Sequence, residues 1–189
     1  MIRKSLAGLA LACAPALALS QQQPVPDDPR AVYALDLFGS ACVAHLGDRD
    51  ATSAWAGLEQ LPPLEAGEVA ALLHGKSGHG WNASGPNGDA LLILREDGTC
   101  SVWARRASTA QVDLWVRKMM KQAAQSGSSA QLVEEKQIEG RGGVYRLVAY
   151  RLSSAESKRQ FLLTSTLTDA ESEEVTAQVI LSIAEIKPR

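Results

Sequence analysis

LLILREDGTCSVWAR, residues 91–105, is the stretch whose reading decides the fold class. Leu91–Arg95 and Thr99–Arg105 are two short apolar-rich runs on either side of Asp97-Gly98. That dipeptide favours a tight reversal, because glycine enters the left-handed backbone region without steric cost. The stretch therefore predicts an antiparallel hairpin, with Cys100 at the start of its second strand.

Downstream, Ser108-Thr109-Ala110-Gln111 has the form of a capping box, a hydroxyl for the free amides of a first helical turn and a glutamine three residues on. Val112, Trp115, Val116, Met119, Met120 and Ala123 then recur at helical spacing as one apolar stripe, opposite Asp113, Lys118, Lys121 and Gln122. Ser126-Gly127-Ser128-Ser129 ends this long helix. The last third reads as antiparallel strands over 131–139, 143–152, 160–168 and 176–186, with Gly140-Arg141-Gly142-Gly143 as the first turn. Val144, Val148, Tyr150 and Leu152 share one parity, as do Phe161, Leu163 and Leu167. The final segment fits a helix through Val175, Val179, Ile183 and Ile186, but the run Val179-Ile180-Leu181 with Ile183 favours a strand.

Upstream the pattern is helical. Asp28-Pro29 is a helix start, a capping carboxylate followed by a residue whose fixed φ suits the first helical position. Val32, Leu35, Cys42 and Leu46 fall near one face with Phe38 beside it, and Gly47 supplies the stop. Asp50 is expected to cap a second helix reaching Gln60, with Trp55 and Leu58 on its apolar side and Pro62-Pro63 at its end. A third helix is expected from Glu65 to His74, carrying Val69, Leu72 and Leu73. Residues 75–89 form a glycine-rich loop in which Trp81 sits on a brief strand. The expected fold is α+β: N-terminal short helices, then an antiparallel sheet of about five or six strands with one long helix packed across it.

The chain has 189 residues, 46% apolar and 21% charged, which suits one ordinary globular domain and excludes a disordered or collagen-like chain. A formal charge of −2 argues against nucleic acid or an anionic membrane as the main partner.

Residues 1–20 carry the three parts of a secretory signal. Arg3 and Lys4 are a positive start, Leu6 to Ala14 an apolar run, and Ala16, Ala18 and Ser20 the small residues a peptidase reads. The run is too short to span a bilayer, and no later stretch is long and apolar enough for a transmembrane segment. Ala10-Leu11-Ala12-Cys13 resembles a degraded lipobox, so a lipid anchor through Cys13 is the minor alternative to simple cleavage near Ser20. Loss of Arg3 and Lys4 from the 19 basic residues, against 21 acidic ones, takes the net charge from −2 to −4. The expected organisation is a signal peptide over 1–20, a flexible lead-in over 21–28 and a single domain over 29–189.

Export leaves Cys42 and Cys100 in a compartment where disulfides persist. Two cysteines without a CxxC spacing read most simply as one bridge, and two separate buried thiols are the competing reading.

The remaining constellations are weak. Gly75-Lys76-Ser77 lacks the earlier glycine and the preceding strand of a phosphate loop. Cys42, His45, His74 and His79 are acceptable zinc ligands, but nothing in their spacing forces them to converge, so neither a metal nor a cofactor is expected. A Cys42–His45 nucleophile pair fails if the thiol points inward or is oxidised. Glu134, Glu135, Glu171, Glu173 and Glu174 read as solvated faces and loops. Trp81, Trp103 and Trp115 read as core packing, with an aromatic ligand surface as the sharper alternative.

The segments LFGSACVAHLGD (37–48), GHGW (78–81) and GTCSVW (98–103), together with the signal sequence, resemble an uncharacterised family of small exported, sometimes lipidated, proteobacterial proteins. The resemblance implies a periplasmic address and paired cysteines, and no mechanism. The expected function is a non-enzymatic binding or interaction module of the cell envelope, with another envelope protein as its partner. A periplasmic hydrolase using histidines and carboxylates is the first alternative, and an immunity or inhibitor protein the second. No residue is singled out as catalytic.

Overall fold

The computed structural model describes residues 27–126, 128–154 and 159–186. The expected signal peptide, Cys13 and most of the lead-in lie outside the described residues.

The chain begins with α1 (Pro29–Leu37), whose N-cap is Asp28 with Pro29 in the first turn. The helix continues through Phe38–Val43 as a wider π turn, closed by the Ala44 N–H donating to the Gly39 carbonyl at 2.9 Å. Short helices α2 (Arg49–Leu58) and α3 (Ala66–Leu72) follow. Strands β1 (Gly78–Asn82), β2 (Asp89–Arg95) and β3 (Cys100–Arg105) form a meander. The long helix α4 (Thr109–Gln125) comes next, and then β4 (Ser128–Gly140), β5 (Gly143–Ser154), β6 (Gln160–Leu167) and β7 (Val179–Ile186). The sheet is antiparallel throughout, in the order β1-β2-β3-β7-β6-β5-β4. α4 carries the chain from the middle of the sheet to its far edge, and the second meander returns so that β7 pairs with β3. The α+β expectation is correct, and the brief strand around Trp81 is the seventh.

Strand alternation gives the sheet two faces. Leu92, Leu94, Val102, Leu163, Leu181 and Ile183 point to one face and are essentially inaccessible. Phe38 from the π turn and Val112, Val116 and Met120 from α4 cover them. Ile93 points the other way, into a small cluster with Val69 of α3 and Leu73 at its C-cap, edged by Leu91 and Trp103. Cys42 and Cys100 form the disulfide, with a Cα–Cα distance of 5.4 Å, and so join the π turn to the first residue of β3. Among the described residues no helix is long and apolar enough to cross a membrane.

Several sequence expectations need correction. The inward face of α1 is Ala31, Ala34 and Leu35 with Phe38, while Val32 is exposed, because the small alanines let α1 lie close to the sheet. α2 is capped by Asp48, which accepts the Ala51 N–H at 2.9 Å, and Asp50 sits in its first turn. Leu58 is 81% exposed, and α2 buries Thr52 and Ala56 instead. Val144 shares the parity of Val148 but is exposed, because a hollow separates it from Thr109, Ala110 and Asp113 at the start of α4. The capping box of α4 is only half made. Ser108 Oγ accepts the Gln111 N–H at 3.3 Å, whereas Gln111 Oε1 accepts from the Asp28 N–H at 2.7 Å.

Candidate functional site

The junction between β3 and α4 positions the candidate site. Arg106 has φ 54°, a left-handed conformation that costs a non-glycine residue about 1–2 kcal/mol. Neighbours on an extended strand point to opposite faces. The left-handed turn at Arg106 breaks that alternation, and Arg105 and Arg106 both line one hollow of 380 Å³.

Asp28 holds the junction together. Its carboxylate accepts the Arg30 N–H at 3.0 Å as the cap of α1, and the Ser108 N–H at 2.7 Å at the start of α4. Arg30 Nε lies 3.0 Å from the same carboxylate. Burial opposes ionisation of Asp28, but the hydrogen bonds from Arg30 and Ser108 outweigh it and hold the carboxyl below its ordinary range. Two helix starts are thereby fixed at a single point.

The opposite wall is the segment between β6 and β7. Thr168 N–H donates to the Gln178 carbonyl at 2.9 Å, Gln178 Nε2 to the Ala170 carbonyl at 3.1 Å, and Gln178 N–H to the Ala104 carbonyl at 3.0 Å. Val175 and Ala177 are buried. These anchors leave Glu171 and Glu173 exposed on the rim. Beyond Arg105 the hollow continues into a second one of 300 Å³, lined by Asp89, Leu91 and Trp103 and sharing Arg105, Glu173 and Val175 with the first. Together they make one groove with a charged half and a more apolar half.

Arg30 is already paired with Asp28, which leaves Arg105 and Arg106 facing Glu171 and Glu173 across the first hollow, with Asp89 in the second, and among the described residues none of these five forms an ion pair. A second charged set, Asp113, Arg117, Glu135 and Arg146, is by contrast fully paired. Asp113 meets Arg117 at 3.0 Å and Arg146 at 2.5 Å, and Glu135 meets Arg146 at 3.1 Å. That set fastens α4 to β4 and β5.

The histidines lie apart from the groove. His45 lines a 10 Å³ crevice beside the disulfide. His74 follows α3 with φ 51°, and His79 lies exposed on β1, its ring 6.2 Å from that of Trp81. Among the described residues no three His, Cys, Asp or Glu side chains group so as to hold a metal ion. Cys42 is 1% exposed and oxidised, so it is not the thiolate of a Cys42–His45 pair.

Of the three tryptophans weighed as core or ligand surface, Trp81 and Trp115 pack on the main core, whereas Trp103 packs against the smaller cluster and borders the groove. Glu171 and Glu173 are solvated, as their composition suggests, and also line the groove. Arg30, Arg105 and Arg106 escaped the sequence reading. The signal that could have marked the last two is an adjacent arginine pair between a strand and the helix cap at Ser108.

Comparison of the chain with protein-family models, curated proteins and solved structures finds no match.

Proposed function

We propose that this protein works in the periplasm as a non-enzymatic binding module of the cell envelope, with the groove between Arg106 and Trp103 as its ligand site. The observation that carries the reading is the groove itself. Its walls are fixed by Asp28, Gln178 and buried Val175 before any ligand arrives, and preorganised walls lower the cost of binding. The two halves total several hundred Å³, the range of small-ligand sites.

The address is supported by the signal pattern of residues 1–20 and by a disulfide that closes a 58-residue separation, a bond that persists in oxidising compartments. Envelope fractionation of the native host, with intact mass and thiol alkylation, tests it. The expected result is a periplasmic chain beginning after Ser20 with no alkylatable thiol. An acylated chain beginning at Cys13 would place the same domain on a lipid anchor. A full-length cytoplasmic chain with reactive thiols overturns the address. Native mass spectrometry of the same preparation tests the binding role. The expected spectrum holds a small-molecule adduct that is absent from the Arg105→Ala variant, and an adduct-free spectrum for both proteins counts against the groove.

A further inference from the structure

We propose that the groove takes a zwitterion with an apolar side chain, of the free hydrophobic α-amino acid class. This rests on the binding-module reading and deepens it.

The charge arrangement comes first. A groove for a simple anion needs cations in excess, and a groove for an amine needs carboxylates in excess. Here Asp28 already takes up the charge of Arg30, and the remaining groups of the first hollow are matched, with Arg105 and Arg106 at the strand end and Glu171 and Glu173 on the rim across from them. These four form no ion pair with each other or with any other described residue, although they line one hollow. The arginines and the glutamates sit on two separately anchored segments. Arg106 is fixed by its left-handed turn, and the rim by the Thr168–Gln178 and Gln178–Ala170 hydrogen bonds. A ligand carrying both charges, a carboxylate for the guanidiniums and an ammonium for the carboxylates, satisfies both walls at once. Charge-assisted hydrogen bonds of this kind are the strong ones, and arginine holds a carboxylate in a two-pronged geometry.

The apolar half then specifies the side chain. Leu91 and Trp103 are neighbours across β2 and β3, both half-buried, and they line the second hollow with Ala90 and Val175. Arg105, Glu173 and Val175 belong to both hollows, so the charged head and the apolar tail of one molecule reach their partners together. The tail displaces water from an indole face and aliphatic carbons, which is favourable in proportion to the area covered.

Arg106 supplies a control that separates binding from folding. Glycine relieves the left-handed strain while removing the guanidinium, so Arg106→Gly is expected to fold at least as well as the parent.

The experiment is a heteronuclear NMR titration of the disulfide-bonded protein with L-phenylalanine, 3-phenylpropionate (no ammonium) and phenethylamine (no carboxylate). The expected result is saturable shifts at the Trp103 indole and at Arg105 with L-phenylalanine, and binding at least about tenfold weaker for either analogue. Arg106→Gly and Glu173→Gln are expected to weaken L-phenylalanine binding by a similar factor with an unchanged or higher melting temperature for the glycine variant. Equal binding of 3-phenylpropionate overturns the zwitterion in favour of a plain carboxylate, and equal binding of phenethylamine overturns it in favour of an amine. No shift from any probe up to about 10 mM, in protein whose disulfide is formed, overturns the ligand class. That failure is distinct from failure of the binding-module reading, which native mass spectrometry decides with whatever ligand the host supplies.

Discussion

Replacing Asp28 by alanine is expected to destabilise the domain at neutral pH by about 2–4 kcal/mol, because one carboxylate serves two helix starts. Loss of an N-cap costs about 1 kcal/mol, with a range of about 0.5–2. The Ser108 N–H loses a charged acceptor, a contact worth about 1.5–3 kcal/mol. The Asp28 side chain is only 12% exposed, so solvent does not screen these terms away. The ion pair with Arg30 adds little, since that guanidinium is 48% exposed. The two main terms share one group and do not add in full. For a domain of this size the loss corresponds to a fall in Tm of about 5–15 °C.

The sign with pH is determined. The folded carboxyl titrates below its ordinary value, so its contribution is complete above the unfolded pKa and is lost as pH falls through the folded one. Asp28→Asn keeps a capping oxygen but no charge. It should therefore cost less than alanine at pH 7 and converge on the parent in strong acid. Urea unfolding of parent and both variants, at neutral pH and at about pH 2, measures this. A cost under about 0.5 kcal/mol for alanine at pH 7, or a parent–asparagine difference that persists unchanged in acid, would refute the reasoning.

Three further outcomes are expected. Joint replacement of Cys42 and Cys100 by alanine should cost about 4 kcal/mol, the chain entropy of a loop with 58-residue separation, and a denaturant midpoint that barely moves would show that the bond does not constrain the unfolded chain. Gly80→Ala should cost about 1–3 kcal/mol, because its Cβ would lie 2.9 Å from both Leu64 Cδ1 and Val69 Cγ2 and 3.1 Å from Ile93 Cδ1, and an unchanged melt would mean that α3 is free to shift. Asp113→Asn should cost about 0.5–1 kcal/mol in low salt and less at high ionic strength, since its bonds to Arg117 and Arg146 lie at a partly exposed surface, and a salt-independent cost would point to packing instead.

The GHGW segment illustrates how far sequence pattern reaches. Gly80 reads locally as part of a glycine-rich loop, yet it is a strand residue with no room for a side chain, because Leu64, Val69 of α3 and Ile93 close on it. Glycine there serves close approach, a property of the neighbour that local propensity cannot register. The capping glutamine teaches the same lesson. Gln111 sits where a capping box places it, but a donor 83 residues earlier, the Asp28 N–H, takes its oxygen.

Residues 91–105 and the stripe from Val112 to Ala123 determined by themselves a hairpin and the long helix, because burial on one face imposes a period of 2 or 3.6 on the residues that face it, whereas the Val179-Ile180-Leu181 run only favoured a strand over a helix. The cysteine count and the pattern of residues 1–20 likewise carried the expectation of one bridge. The order of the seven strands, the exposed sides of Val32 and Leu58, and above all the groove were decided only in three dimensions. Arg30, the β3 pair Trp103 and Arg105, and Glu173 belong to three segments that no period links, and they meet because β7 returns to pair with β3 and carries the Gln178-anchored rim to the end of that strand.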